Sequence, residues 1–237
     1  MDLSIVIPVF NEEDSIATLI SEIDKLSNIQ FEIIVVDDCS SDNTQSELIN
    51  LKQKYSNLRV ISHRENYGQS SAIATGVKNS ISNVIATLDG DGQNDPKDIP
   101  KLFEIYKNKS INEKGLMVAG HRVVRKDNFL KRISSKYANM LRSKVLGDGV
   151  PDTGCGLKIF SKNDFLNLPF FDHMHRYLPA LHQSRGGDVI SFPVNHRVRK
   201  KGFSKYGFHN RFWVGLLDLL GVRWLKRRSK VISYKEN

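Results

Sequence analysis

Short, almost uninterrupted apolar runs alternate with longer segments of helical periodicity through the first half of the chain. Leu3–Val9, Phe31–Val36, Leu58–Ser62, Val84–Leu88 and Leu116–Ala119 carry too few polar positions for strands with one wet face, so they predict strands buried on both sides. Between them the pattern predicts four helices. The first runs from Asn11, whose following Glu12-Glu13-Asp14 suits a first helical turn, to about Lys25. The others cover Asp42–Tyr55, about Ser70 to Asn79, and Lys97 to Lys107. Such β-α alternation predicts an α/β fold, a mostly parallel sheet flanked by helices. In that architecture ligands collect where the strands end at their carboxyl side.

The chemically distinctive residues fall at those ends. The first strand runs into Pro8-Val9-Phe10-Asn11-Glu12, the second into Asp37-Asp38-Cys39-Ser40-Ser41-Asp42, the third into Arg64-Glu65-Asn66-Tyr67-Gly68-Gln69. The fourth ends in Asp89-Gly90-Asp91, followed by Gly92-Gln93-Asn94-Asp95-Pro96. Two carboxylates spaced i, i+2 after an apolar strand point to one side and offer hard oxygen ligands to Mg²⁺ or Mn²⁺. An EF-hand is excluded because position 12 of its loop would be Pro100 instead of a glutamate. Asp42 reads as a helix cap. Of the adjacent Asp37 and Asp38, one suits the polar edge of a ribose or base and the other suits holding the loop. Neither a G-x-G-x-x-G after the first strand nor a G-x-x-x-x-G-K-[ST] occurs, which argues against a dinucleotide fold and a P-loop.

At 237 residues and 40% apolar content the chain can bury one substantial core, and a second full domain is not expected. No basic n-region precedes a long apolar stretch near the start, and no run reaches the roughly 18 apolar residues that span a bilayer. Cys39 and Cys155 are too few for a disulfide framework and lack metal-site spacing, so a reducing cytoplasm is the expected setting. The net charge of +9 hides an asymmetry: residues 1–120 hold 18 Asp/Glu against 11 Lys/Arg, residues 121–237 hold 8 against 24. An acidic half suits a bound cation, and a basic half calls for an anionic partner. No nucleic-acid recognition motif accompanies the basic surplus, so nucleic acid is not the expected partner.

Four motifs in order, S-I-V-I-P-V-F-N-E-E (4–13), I-I-V-V-D-D-C-S-S-D (33–42), R-E-N-Y-G-Q-S-S-A-I (64–73) and L-D-G-D-G-Q-N-D-P (88–96), resemble the family 2 inverting glycosyltransferases of GT-A fold. The resemblance is strongest to the dolichol-phosphate mannosyltransferase-like branch, whose bacterial members load sugars onto undecaprenyl phosphate, and it covers about residues 3–206. It implies a catalytic domain over 1–206 and a C-terminal segment, 207–237, of separate character. It further implies that Pro8, Phe10, Asn11, Glu12, Asp37, Asp38 and Gly68 serve the nucleotide, and that Asp89, Asp91 and Gln93 hold Mg²⁺ or Mn²⁺ with the donor diphosphate. The donor is expected to be a UDP- or GDP-sugar.

The resemblance places the acceptor side in the basic half. Arg122 follows the fifth predicted strand, and Lys131-Arg132-Ile133-Ser134-Ser135 matches the branch's R-K-x-x-S segment, which binds the lipid phosphate. Here lysine stands first and arginine second, so Lys131 and Arg132 both remain candidates beside Ser135. His196 to Gly207 matches H-x-x-R-x-x-G-x-S-K-Y, implying that Arg199, Ser204 and Lys205 close over the diphosphate, with Arg199 and Ser204 also serving the acceptor phosphate. In D-T-G-C-G (152–156), Asp152 is expected near the sugar and Cys155 as a small packed residue. His173, His175 and His182 are expected to line a pocket or pack. The E-D pair that precedes Q-x-x-R-W and supplies a general base in saccharide-extending relatives has no counterpart here. A hydroxyl acceptor needs such a base, whereas a phosphate monoester, with a second pKa near 6, is already ionised.

The last helical segment presents Phe208, Phe212, Trp213, Leu216, Leu217, Leu220 and Trp224 at spacings of three and four, followed by Lys226-Arg227-Arg228 and Lys230. This pattern predicts an amphipathic helix lying on an anionic leaflet or, alternatively, packed on the protein itself or in a dimer. Attachment is then peripheral on the cytoplasmic face, or provided by a membrane-protein partner. The function implied is transfer of a sugar from a nucleotide donor to a polyprenyl phosphate. The alternatives are extension of a soluble saccharide and non-catalytic binding of a nucleotide sugar or lipid.

Overall fold

Alternation along the first two strands sorts their side chains into two layers. In the computed structural model, which describes residues 1–109, 115–123, 142–198 and 208–229, β1 (Leu3–Val9) and β2 (Phe31–Asp37) are buried on both faces. Leu3, Ile5, Ile7 and Val9 join Ile33 and Val35 in one core layer, covered by α1 (Ile16–Asp24), α2 (Thr44–Lys54) and α4 (Ile99–Lys109). Val6, Ile34 and Val36 face the other layer, covered first by α3 (Gln69–Asn79). Burying each such Ile, Val or Leu is worth about 1.5–3 kcal/mol, which is why the two-sided runs dictate a sandwiched sheet. Helix α3 lies so close to β1 that a methyl on Gly76 would collide with Val6.

Among the described residues, seven strands follow the order β3-β2-β1-β4-β6-β5-β7. β3 (Leu58–Ser62), β2, β1 and β4 (Val84–Thr87) are parallel neighbours, and β5 (Leu116–Arg122) pairs in parallel with β7 (Asp188–Val194). β6 (Lys158–Ser161) is antiparallel to both β4 and β5, between which it lies. All five predicted strands are present. The structure adds β6, β7 and two short helices, α5 (Lys162–Leu166) and α6 (Leu178–Ser184).

The first helix starts later than its acidic residues predict. α1 begins at Ile16 without an acidic first turn, and Asn11 sits at φ 55°. Residues 11–13 tie two loops together instead. The Asn11 N–H donates to Ser40 Oγ (2.8 Å), Glu12 N–H to Thr44 Oγ1 (2.8 Å), Ser41 N–H to Asn11 Oδ1 (2.7 Å) and Asn43 N–H to Glu13 Oε2 (2.9 Å). Asp42 likewise accepts from the Thr44 and Glu13 N–H groups. Short polar side chains that can satisfy a neighbouring loop's backbone do so in preference to a helix dipole.

The C-terminal helix α7 (Phe208–Arg228) is apolar on two sides, so it is not the simple amphipath predicted. Leu219 and Val222 are buried in the second core layer, Tyr177 Oη donates to Gly215 O (3.1 Å), and Lys226 Nζ donates to Leu146 O (2.6 Å). Leu217, Leu220 and Trp224 are 69%, 55% and 60% exposed on another face.

At the edge of the sheet remote from the strands' carboxyl ends, Glu32 is buried and accepts from Ser4 Oγ (2.5 Å), Ile81 N–H (2.6 Å) and Arg59 Nη1 (2.7 Å). Burial pushes its pKa up, but these donors and the Arg59 charge outweigh it and hold the carboxyl below 4.5. Its stabilising effect is therefore fully present above pH about 4.5 and lost as the pH falls through the lowered folded value. Glu32→Ala, which strands the Ser4 hydroxyl and the Ile81 N–H, is expected to lower stability by about 2–4 kcal/mol in urea unfolding at pH 7, with a smaller deficit below pH 4.

Candidate active site

The carboxyl ends of β1, β2, β3 and β4 meet, and polar contacts between their loops build one side of the site. Asp38 accepts from Tyr67 N–H (2.9 Å), Gly68 N–H (2.7 Å) and His63 Nδ1 (2.7 Å), and so shapes the loop leading into α3. His63 passes on to Thr75 Oγ1 through Nε2 (2.9 Å). Asp37 accepts from the Ser40 N–H (3.2 Å) and hydroxyl (2.5 Å). Both aspartates are thus buried loop organisers. A carboxylate offers about four acceptor sites, so each retains capacity for a ligand. Gly68, at φ +86°, occupies backbone space that favours glycine, and a methyl there would meet Asp172 Oδ1.

β4 delivers Asp89 and Asp91. Asp89 accepts from Gln69 Nε2 (2.9 Å) at the start of α3, and Asp91 Oδ1 accepts from the Gln93 N–H (3.0 Å). Burial first, then the charge of Asp91, pushes the Asp89 carboxyl up to about 6, against the downward pull of Lys158 and Arg122. The turn is anchored on its far side: Arg197 N–H donates to Gln93 O (2.8 Å), and its guanidinium bridges Glu22 (2.5 Å) and Asp95 (2.6 Å). Sequence reasoning missed Arg197, since nothing in the spacing of positions 22, 95 and 197 signals their meeting.

From the opposite side β5 delivers Arg122. Its guanidinium forms a two-point fork with Asp152, Nε to Oδ2 at 2.7 Å and Nη2 to Oδ1 at 2.9 Å, and its N–H also reaches Oδ2 (3.2 Å). Burial works against the charged form of Arg122, but the bond and charge of Asp152 outweigh it and the pKa rises. Asp152 therefore orients Arg122. Gly156 in the same loop abuts Asp89, and a methyl there would land on the Asp89 carboxylate. Lys158, also missed by sequence reasoning, is buried with its Nζ donating to Cys155 O. Cys155 is buried with its thiol pKa raised by burial, as suits a packed residue.

The structure thus brings together Asp37, Asp38, Gly68 and Gln69 around one loop system, and Asp89, Arg122 and Asp152 around another. Pro8 is buried in β1, with Phe10, Asn11 and Glu12 directly after it. Lys131, Arg132, Ser135, Arg199, Ser204 and Lys205 lie outside the described residues. His175 bonds Ser70 Oγ through Nδ1 (2.7 Å), and burial holds its pKa well below 6.5. His173, at φ 63°, pairs with Asp218 of α7 (3.2 Å). Among the described residues no group of three or more His, Cys, Asp or Glu side chains is placed to hold a metal.

The sequence profile described as "Glycosyl transferase family 2" matches residues 4–168, which includes the strand ends that carry Asp37, Asp38, Asp89, Asp91 and Arg122 and the loop that carries Asp152. The chain belongs to glycosyltransferase family 2. A dodecaprenyl-phosphate galacturonate synthase of Rhizobium johnstonii is 35% identical over 96% of this chain and 68% of its own length. An undecaprenyl-phosphate 4-deoxy-4-formamido-L-arabinose transferase of Edwardsiella ictaluri is 34% identical over 86% of this chain and 63% of its own. The chain therefore spans roughly two thirds of these relatives.

Among solved structures, a glucosyl-3-phosphoglycerate synthase of Mycobacterium tuberculosis in complex with Mg²⁺ and UDP superimposes with a TM-score of 0.68. The match covers 93% of this chain and 79% of that one at 18% identity. S. aureus TarS in complex with UDP-GlcNAc gives 0.64 over 97% and 68% at 17% identity. At that identity the likeness establishes the fold, a GT-A type glycosyltransferase sheet. The family 2 membership makes this chain a glycosyltransferase.

Proposed function

We propose that this glycosyltransferase moves a sugar from a nucleotide donor to a polyprenyl phosphate, with inversion. The observation that carries this reading is the opposition of the Asp89–Asp91 turn at the end of β4 to the Asp152-held Arg122 at the end of β5. One side is acidic and suits a cation-bound diphosphate, and the other presents a fixed guanidinium suited to an anion. The polyprenyl-phosphate relatives named above supply the acceptor class.

The chain's own residues divide the work. Pro8, Phe10, Asn11, Glu12, Asp37, Asp38 and Gly68 receive the nucleoside. Asp89, Asp91 and Gln93 would hold Mg²⁺ or Mn²⁺. The fit is favourable, because burial first and then the charge of Asp91 raise the Asp89 pKa, and a cation beside these carboxylates would offset both. Two carboxylates with substrate phosphates and water also form an ordinary Mg²⁺ set. A divalent ion there supplies neutralisation of the charge that builds on the departing diphosphate. Arg122, with Lys131, Arg132, Ser135, Arg199 and Ser204 on the sequence match, holds the acceptor phosphate in line. One phosphate oxygen bonds to the anomeric carbon while the bond from that carbon to the diphosphate oxygen breaks, and the electron pair leaves with the nucleoside diphosphate. The acceptor arrives ionised, so no side chain has to remove a proton.

Incubation with radiolabelled UDP- and GDP-sugars and undecaprenyl phosphate is expected to give organic-extractable label, and undecaprenol in its place none. Label only in a water-soluble saccharide product, or donor binding without transfer, would replace this reading with one of its alternatives.

The exposed Leu217, Leu220 and Trp224, beside exposed Arg223, Arg227 and Arg228, form an apolar stripe with a cationic margin, suited to the surface of an anionic leaflet. None of the described helices is long and apolar enough to cross a membrane. Docking through this stripe places the enzyme peripherally, on the cytoplasmic face, where it can reach a lipid phosphate. Leu217→Glu with Trp224→Glu is expected to weaken flotation with anionic vesicles by about tenfold or more without lowering the melting temperature, since neither side chain is packed.

A further inference from the structure

Lys158 opens β6 and lies opposite Thr87 of β4 on one side and Ala119 of β5 on the other. A lysine with 3% exposure in the middle of a seven-stranded sheet needs a reason, because burial disfavours its charge, and here lowers its pKa. Neither a solvated head group nor a one-to-one ion pair provides it. Nζ donates to the Cys155 carbonyl, and the Thr87 hydroxyl donates to the next carbonyl, that of Gly156 (2.6 Å). Two successive carbonyls of one loop are thereby held by two side chains from adjacent strands. The same loop carries Asp152, which forks Arg122, and Gly156, which abuts Asp89. Asp89, Asp152 and Arg122 all act electrostatically on Lys158.

We propose that Lys158 is a positioning residue for sugar transfer: together with Thr87 it fixes the 152–156 loop, and through that loop it sets Asp89 and Arg122 at once. The proposal rests on the function given above and adds to it a residue that touches neither substrate. It explains why a cation is buried where an apolar residue would pack more cheaply: the ammonium reaches a carbonyl that, among the described residues, no backbone N–H serves, and its charge together with that of Arg122 faces those of Asp89 and Asp152.

The test is a double-mutant cycle read as kcat and donor KM in the undecaprenyl phosphate assay, with Lys158→Met, Thr87→Val and the pair. Each single change is expected to lower kcat by about tenfold or more and to raise donor KM by a smaller factor, because the nucleoside loops of β1, β2 and β3 are untouched while Asp89, on the diphosphate side, shifts. Since both act on one loop, the pair is expected to be no more than about threefold worse than the poorer single variant. Lys158→Arg, which keeps a donor for the Cys155 carbonyl, is expected to recover most of the kcat lost in Lys158→Met. Multiplicative effects in the pair, or a Lys158→Met enzyme as fast as wild type, would overturn the proposal. Should Lys158→Met not fold, Thr87→Val and Lys158→Arg decide it, and wild-type kcat in Thr87→Val overturns it. Wild-type protein that yields no lipid-linked product would defeat the proposed function itself, a result distinct from either.

Discussion

Asp91→Asn is expected to cut sugar transfer by roughly 1,000-fold or more, with the melting temperature unchanged within a few degrees. The substitution is isosteric, and the asparagine carbonyl can still accept the Gln93 N–H that Asp91 Oδ1 accepts at 3.0 Å, so the turn has no reason to open. What is lost is one of the two negative charges at the end of β4. Asp89 then stands alone, its pKa still raised by burial but relieved of the Asp91 charge, and the site would offer a hard divalent cation one anionic protein oxygen instead of two. Steady-state rates with saturating lipid acceptor over a titration of Mn²⁺ provide the check. Near-normal turnover at any Mn²⁺ concentration would remove the acidic turn from the mechanism.

Gly156→Ala is expected to reduce kcat by about 100-fold, the scale on which an ångström of misplacement at a reacting centre is felt. The added methyl would occupy the space of the Asp89 carboxylate, a movable group at the end of a side chain, so the carboxylate yields and the backbone stays. The damage is therefore to function more than to folding. Donor KM should rise by a smaller factor than kcat falls, because Asp37, Asp38 and Gly68 lie on other loops and only the diphosphate side of the site shifts. A large fall in melting temperature with unaltered kcat for the folded fraction would show that Gly156 serves packing alone.

The strand ends were legible in the sequence because the core strands of a doubly covered sheet must be apolar throughout, and each run stops where chemistry begins. Asp37, Asp38, Asp89 and Asp91 stand out for that reason. Glu13 reads as part of a helix start, since a carboxylate before an apolar periodic segment looks the same whether it serves that helix or, as here, the Asn43 N–H of a loop 30 residues away. β6 escaped notice because four residues beginning with a lysine carry no strand signature. β7 includes Pro193, tolerated because β7 ends the strand order at an edge of the sheet.

Periodicity and local motif spacing, which act over a few residues, determined by themselves the α/β alternation, the family resemblance and the acidic turn after β4. Tertiary structure alone decided that an antiparallel strand enters between β4 and β5, that Asp152 forks Arg122, and that Gly156 faces Asp89 while Lys158 lies buried beside them. It also decided that α7 divides its apolar residues between the core and an open stripe. The division has a physical cause: hydrophobic burial is written into each segment's own pattern, whereas a buried charge is placed by partners that only the folded chain brings within reach.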